Sequence, residues 1–319
     1  MANRKTAQRS PAGGKPVHAR RLVYVLNRDK FYLLLIAPAV VYYILFHYMP
    51  MYGTLIAFMD YKPGRPVLAN NWVGIKWFRE FFSSFFFTRV FFNTLILSVQ
   101  TIIFSFPAPI IFALLLNEVR NKVFKKTIQT ISYVPYFISV VVVVGILFNL
   151  VSVTDGVINN IRAANGYPRI DFLNDPKMFR PLYVGTVVWQ TFGWNSIIYL
   201  AALTSIDPTL YEAADIDGAG RFKKLIYITL PGILPVIVIL LILTLGRVMN
   251  VGFEMVLLMQ KPSTYSTSDI ISTYVYRRGI LDAQYSFATA VGLFNSVINL
   301  ALLLSANFIS KKLSDNSLW

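Results

Sequence analysis

The sequence predicts an all-α integral membrane protein with six transmembrane helices and both termini on the cytoplasmic side. Three observations carry this. Only 14% of the 319 residues are charged and 55% are hydrophobic, against about 25% charged in a soluble domain. Six apolar runs approach the roughly 20 residues that a helix needs to cross a bilayer. The basic residues gather in alternate connecting segments, as expected when positive charge sets orientation.

The spans are placed near 31–50, 91–116, 130–150, 183–203, 232–259 and 287–309. Pro38, the Pro107/Pro109 pair and Pro135 fall inside them. Such prolines imply kinks whose freed carbonyls need neighbouring helices. Residues 1–30 form a basic tail with eight Lys or Arg against Asp29 alone, and Pro11, Gly13, Gly14 and Pro16 predict disorder in its first half. No cleavage pattern follows, so this end reads as an uncleaved anchor. With the tail inside, the segments 1–30, 117–129, 204–231 and 310–319 hold 17 basic residues against 12 in the three outer loops, Arg247 lying within a span.

Composition also removes whole classes of function. Cysteine is absent, and the two histidines, His18 and His47, lie far apart. Disulfide, thiolate and histidine-metal chemistry are excluded on that ground. The formal charge of +15 suits topology and anionic lipid headgroups in so apolar a chain, rather than nucleic acid. The outer loop 51–90 is aromatic (Trp72, Trp77, Phe81, Phe82 and Phe85 to Phe87) and reads as an amphipathic segment on the membrane surface. Loop 151–182 carries turn signals, and loop 260–286 presents Tyr265, Tyr274, Tyr276, Arg277 and Arg278.

The most informative stretch is 207–231. Asp207 and Pro208 read as an N-cap and first-turn proline. The helix they start ends at Gly218 and Gly220. A second short helix carrying Lys223 and Lys224 follows, and Pro231 opens the next apolar run. Two short helices meeting at glycine make a knob too polar for lipid.

Within it, Glu212-Ala213-Ala214, three residues, Gly218, nine residues, Ile228, one residue and Leu230-Pro231 resemble the signature loop of bacterial ABC-importer permeases. The resemblance extends along the chain. Phe31 to Pro38, Trp72 to Phe78 and Ala288 to Asn299 are similar to carbohydrate importers of the maltose type, in the branch of oligo- and polysaccharide uptake. The large extra outer domain of the maltose permease itself has no counterpart here.

The resemblance implies a type I ABC-importer permease fold that is multi-pass in the bacterial cytoplasmic membrane. It implies a second, related permease, two copies of a cytoplasmic ATPase and an extracytoplasmic solute-binding protein as partners. No cofactor is expected on this chain, ATP and magnesium belonging to the ATPase. Glu212, Ala213, Ala214, Asp217, Gly218, Gly220, Leu230 and Pro231 are then the coupling residues, with Glu212 as the polar anchor.

For the substrate path, charges inside a span are costly and normally face a cavity. Arg247, Asn250 and Glu254 recur at i, i+3 and i+7, one face of a helix. With a helix start at 232, Arg247 lies about 22 Å along it. This face reads either as a sugar-lining surface, Arg247 meeting a uronate carboxylate or hydroxyls, or as an Arg247–Glu254 brace or a contact with the partner permease. Trp189, Gln190, Trp194 and Asn195 in the fourth span, and Asn295 and Asn299 in the last, offer the aromatic faces and amides that sugars require. They serve equally well as interhelical partners. An ion-coupled secondary transporter of a small polar solute is the competing reading. It needs mid-depth carboxylates, and Glu254 is the one available. No serine–histidine pair or carboxylate dyad lies within the spans, which disfavours an intramembrane enzyme.

Overall fold

In the computed structural model residues 28–313 are described. The expectations for the first 27 residues, including the disordered tail, and for the last six lie outside them. The described residues fall into two units that meet after Leu55.

The first unit is a single apolar rod. Helix α1 (Lys30–Tyr43) contains Pro38 and passes through a π turn at Ile44–Tyr48 and a short helix at Met49–Met51. As one element the rod runs from Lys30 to Phe58, its last three residues counted with the second unit. It ends eight residues beyond the expected end, and none of its most apolar stretch is buried.

Near the start of the second unit lies the one departure from helix-only structure among the described residues. Two-residue strands, β1 (Met59–Asp60) and β2 (Asn71–Trp72), pair antiparallel. Helix α2 (Lys76–Ser83) follows. Its Phe81 is fully buried, while Trp72, Phe82, Phe85 and Phe86 of the same expected loop are exposed. The Phe81 ring meets Phe87 edge-on at 5.1 Å and Phe294 at 5.7 Å. Edge-to-face aromatic pairs of this kind contribute about 0.5–1.5 kcal/mol beyond the area they bury.

Helices α3 (Phe85–Ser105) and α4 (Pro107–Asn117) form one span of 33 residues. It begins six residues before the expected start. Ser84 caps it by accepting from the Phe86 N–H, so the phenylalanines assigned to the loop become its first turn. Pro107 sits at a first-turn position, where a missing N–H is harmless.

The expected third span, 130–150, is not continuous. Helix α5 (Lys122–Tyr133) runs on to Phe137, and α6 (Val140–Val151) leaves at 103° to it. Pro135 cannot donate to the ladder, and Ser139 caps the new helix by accepting from the Val142 N–H. After α6, helix α7 (Val157–Ala164) is pinned by the fully buried Asn159, whose amide donates to the carbonyls of Val151, Ser152 and Ile170.

Helix α8 (Pro176–Thr204) is the centre of this unit. It is 29 residues long and buries Tyr183, Thr186, Gln190, Gly193, Ser196 and Tyr199. Much of its surface packs against α3, α4 and α5. At Gly193 the backbone of α5 comes so near that a Cβ would stand 2.0 Å from the Ser132 carbonyl oxygen.

Helix α9 (Pro208–Ile216) and helix α10 (Arg221–Lys224) follow. The latter does not stop before Pro231. It continues through a π turn (Leu225–Thr229) into α11 (Leu230–Leu245), giving one span from Arg221 to Leu245. Local π geometry lets a helix absorb the missing donor of a proline. This span ends fourteen residues before the expected 259. After an irregular stretch come α12 (Phe253–Met259), α13 (Tyr265–Ser268), α14 (Ile271–Tyr276) and finally α15 (Tyr285–Leu313).

By length and apolarity four helices of the described residues are able to cross a membrane, five with the bent pair counted as one.

Candidate functional site

Residues 246–252 are not helical, so Arg247, Asn250 and Glu254 do not share a helix face. The expected i, i+3, i+7 stripe is overturned. Gly246 and Gly252 frame the break. A Cβ on Gly246 would lie 2.6 Å from Leu303, and one on Gly252 3.0 Å from the Tyr183 hydroxyl. The backbone groups freed here find side chains from three other helices, as groups at membrane depth must. Ser98 of α3 donates to the Val248 carbonyl. Asn299 of α15 accepts from the Met249 N–H at 2.9 Å, and Tyr183 of α8 accepts from the Gly252 N–H at 3.1 Å. The amides of Asn295 and Asn299 both donate to the Asn250 side-chain oxygen at 3.1 Å. Asn250, Asn295 and Asn299 thus hold the break in shape.

Beside the break lies a cavity of about 800 Å³, lined among others by Thr101, Tyr183, Gln190, Arg247, Asn250 and Glu254. Arg247 and Asn250 reach it from the break and Glu254 from the first turn of α12, rather than from one helix face. Arg247 and Glu254 are both exposed, and among the described residues neither makes an ion pair. The expected brace between them is therefore not formed. Gln190 is buried and donates to the Ile138 carbonyl at 3.1 Å, which satisfies the break between α5 and α6 while its helix lines the cavity. Ser98, Thr101 and Tyr183 were not singled out from the sequence. Small hydroxyls three residues apart within an apolar run were the available signal.

The other aromatic candidates go elsewhere. Trp194 stacks on Tyr136 at 4.8 Å and 7°, both rings partly exposed. Asn195 is exposed and does not line the cavity. Trp189 belongs to a separate apolar groove of about 710 Å³ with Gln100, Phe104 and Phe192.

The polar knob between α8 and α11 is built as two short helices. Asp207 accepts from the Thr209 N–H at 2.9 Å. That bond holds its carboxyl below the usual carboxylate range. Gly218 closes α9 in the left-handed region at φ 70°, with the Ala219 N–H donating to the Ala214 carbonyl at 2.8 Å. That is the closure a helix C-terminus makes around glycine. Asp215 pairs with Lys224 across the turn. Glu212, Ala213, Asp217, Gly218, Gly220 and Pro231 are exposed, while Ala214 and Leu230 are half-buried.

A cavity beside a helix break and a polar knob between α8 and the span that follows together have the parts of a transport subunit. Residues 105–315 match the family described as binding-protein-dependent transport system inner membrane component. The chain belongs to this family.

The permease is 46% identical to protein LplB of Bacillus subtilis, over 92% of each chain. It is 44% identical to the polygalacturonan/rhamnogalacturonan transport system permease protein YteP of the same organism, over 94% of each. Among solved structures it is similar to a chain of a bacterial alginate ABC transporter in complex with an alginate pentasaccharide-bound periplasmic protein. There the TM-score is 0.87 at 41% identity, covering 93% of this chain and all of that one. The expected ABC-importer resemblance and the multi-pass inner-membrane location are thereby shown, and the permease is a transport subunit.

Proposed function

We propose that this permease moves an acidic oligosaccharide or polysaccharide across the cytoplasmic membrane, driven by ATP hydrolysis on a separate subunit docked beneath the Glu212–Gly220 knob. The observation that carries the substrate reading is Arg247, which among the described residues makes no ion pair and lies in a cavity that also offers Gln190, Asn250 and the Tyr183 hydroxyl. An uncompensated charge at membrane depth is costly, and a uronate carboxylate compensates it with a charge-assisted hydrogen bond. The polygalacturonan and alginate systems among its relatives carry acidic polymers by their names, which supports the same class.

Six spans follow if α8 crosses as well: the four long helices, the bent α5–α6 pair, and α8 shielded by them. The basic segments then place the knob in the cytoplasm. A second permease completes the cavity, two ATPase copies carry ATP and magnesium, and an extracytoplasmic binding protein delivers the sugar. Closure of the ATPases draws the knobs together and opens the cavity outward.

The test is uptake by the reconstituted transporter of labelled oligogalacturonate against a neutral oligosaccharide of equal length, with ATP or with an imposed proton gradient. ATP-dependent uptake of the oligouronide, lost in Arg247→Met with assembly intact, is expected. Unchanged uptake in that variant removes Arg247 from the path, and gradient-driven uptake without ATP overturns the coupling.

A further inference from the structure

The knob is tied to the span that follows it at three places. Asp215 of α9 pairs with Lys224 of α10. Ile206, just before α9, packs on Gly232 so closely that a Cβ there would lie 2.8 Å from its side chain. Between these, the Tyr211 hydroxyl lies 3.0 Å from the Thr229 hydroxyl, 18 residues away in sequence. Thr229 is buried and closes the π turn. Its hydroxyl also lies 3.3 Å from the Lys224 carbonyl, to which it donates. A threonine hydroxyl has one proton, so with that proton on Lys224 the Tyr211 O–H is the donor to Thr229.

From Thr229 the helix runs on without a break to Leu245, about 24 Å at 1.5 Å per residue. At its far end stand the irregular residues 246–252 and Arg247 in the cavity. A rigid element held at one end and interrupted at the other carries a displacement along its length. π turns recur at functional positions in helices, and this one falls where the knob is attached.

We infer that the Tyr211–Thr229 hydrogen bond is the joint through which a push on the knob reaches the cavity, both residues acting as positioning residues for transport. This rests on the docking of an ATPase under the knob. Without the bond, the knob still binds its partner but turns on the Asp215 and Ile206 contacts, and part of each stroke is lost before it reaches Leu245.

The experiment uses the complete transporter in proteoliposomes and measures oligosaccharide imported per ATP hydrolysed, with co-purified ATPase measured in parallel. Tyr211→Phe and Thr229→Val each remove one hydroxyl at nearly constant shape, while Thr229→Ser keeps it. In each of the first two, import per ATP falls about five-fold, the factor carried by one neutral hydrogen bond. ATPase association stays at the wild-type level, Thr229→Ser is restored towards wild type, and the double variant is no worse than either single one. Wild-type stoichiometry in both single variants overturns the joint. So does a fall in import matched by an equal loss of assembled complex, since that marks a merely structural bond. Glu212→Lys separates the two ideas. If it leaves ATPase association intact the docking reading fails, whereas normal docking with normal stoichiometry in Tyr211→Phe sinks the joint alone.

Discussion

Gln190 donates its amide to the carbonyl of Ile138 at 3.1 Å, so the central helix closes the break in its neighbour. The carbonyl is free because Pro135 and the 103° turn end α5 there, and Gln190 is the side chain that reaches it. Gln190→Leu keeps the volume and strands that acceptor. A loss of about 1–3 kcal/mol is expected for a buried group left unpaired, read as a lowered Tm of the purified permease in nanodiscs. An unchanged Tm would show that the break is held by other means.

Gly193 marks where α8 and α5 touch backbone to backbone. Ala at this position places its Cβ 2.0 Å from the Ser132 carbonyl oxygen, so the helices must part. The cost is at least the about 1–3 kcal/mol of an overpacked core. The folded fraction of Gly193→Ala on size-exclusion chromatography should fall sharply. Gly185→Ala, on the same helix with nothing within 4 Å, should behave as wild type.

Asp269 is fully buried between Arg89 at 3.0 Å and Arg277 at 2.6 Å, and its carboxylate also accepts from Thr273 at 3.0 Å. The ion ties α3 to the segment around α13 and α14. Asp269→Asn leaves two guanidinium groups facing a neutral amide. Removal of one partner from a buried pair costs about 3–5 kcal/mol. Protease nicking between residues 260 and 284 should accelerate relative to the rest of the chain, and resistance equal to wild type would contradict this ledger of charges.

The knob has its own pH signature. Asp207 is the N-cap of α9, and its carboxyl is depressed chiefly by the Thr209 N–H. A depressed carboxylate contributes stability that is complete above its unfolded value and is lost as pH falls through the folded value. Limited proteolysis at the knob should therefore increase as pH drops below the usual carboxylate range. Asp207→Asn keeps a good cap without a titrating group and should flatten that pH dependence.

The polar knob was legible in the sequence because a cap, a helix and a glycine stop are local signals. Asp207, Pro208 and Gly218 each act on residues within one turn. The same is true of the apolar runs, whose lengths are set by a bilayer rather than by partners. Their ends were less legible. Phe85 to Phe87 look interfacial until Ser84 is seen capping a helix, and Pro231 looks like a start until a π turn carries the helix through it. The break at 246–252 is framed by Gly246 and Gly252, but single glycines inside an apolar run are weak stop signals, and the hydrogen bonds that settle the break come from distant helices.

From sequence alone came the membrane class, the family and the knob, since each rests on composition or on residues close along the chain. Tertiary structure decided the cavity. Ser98, Tyr183, Asn295 and Asn299 stand far from residue 250 in sequence, yet the first two and Asn299 bond the unwound backbone and Asn295 bonds the Asn250 side chain, which makes the break tolerable. Arg247 faces open space, rather than a helical neighbour, because those four side chains hold the chain out of its helix.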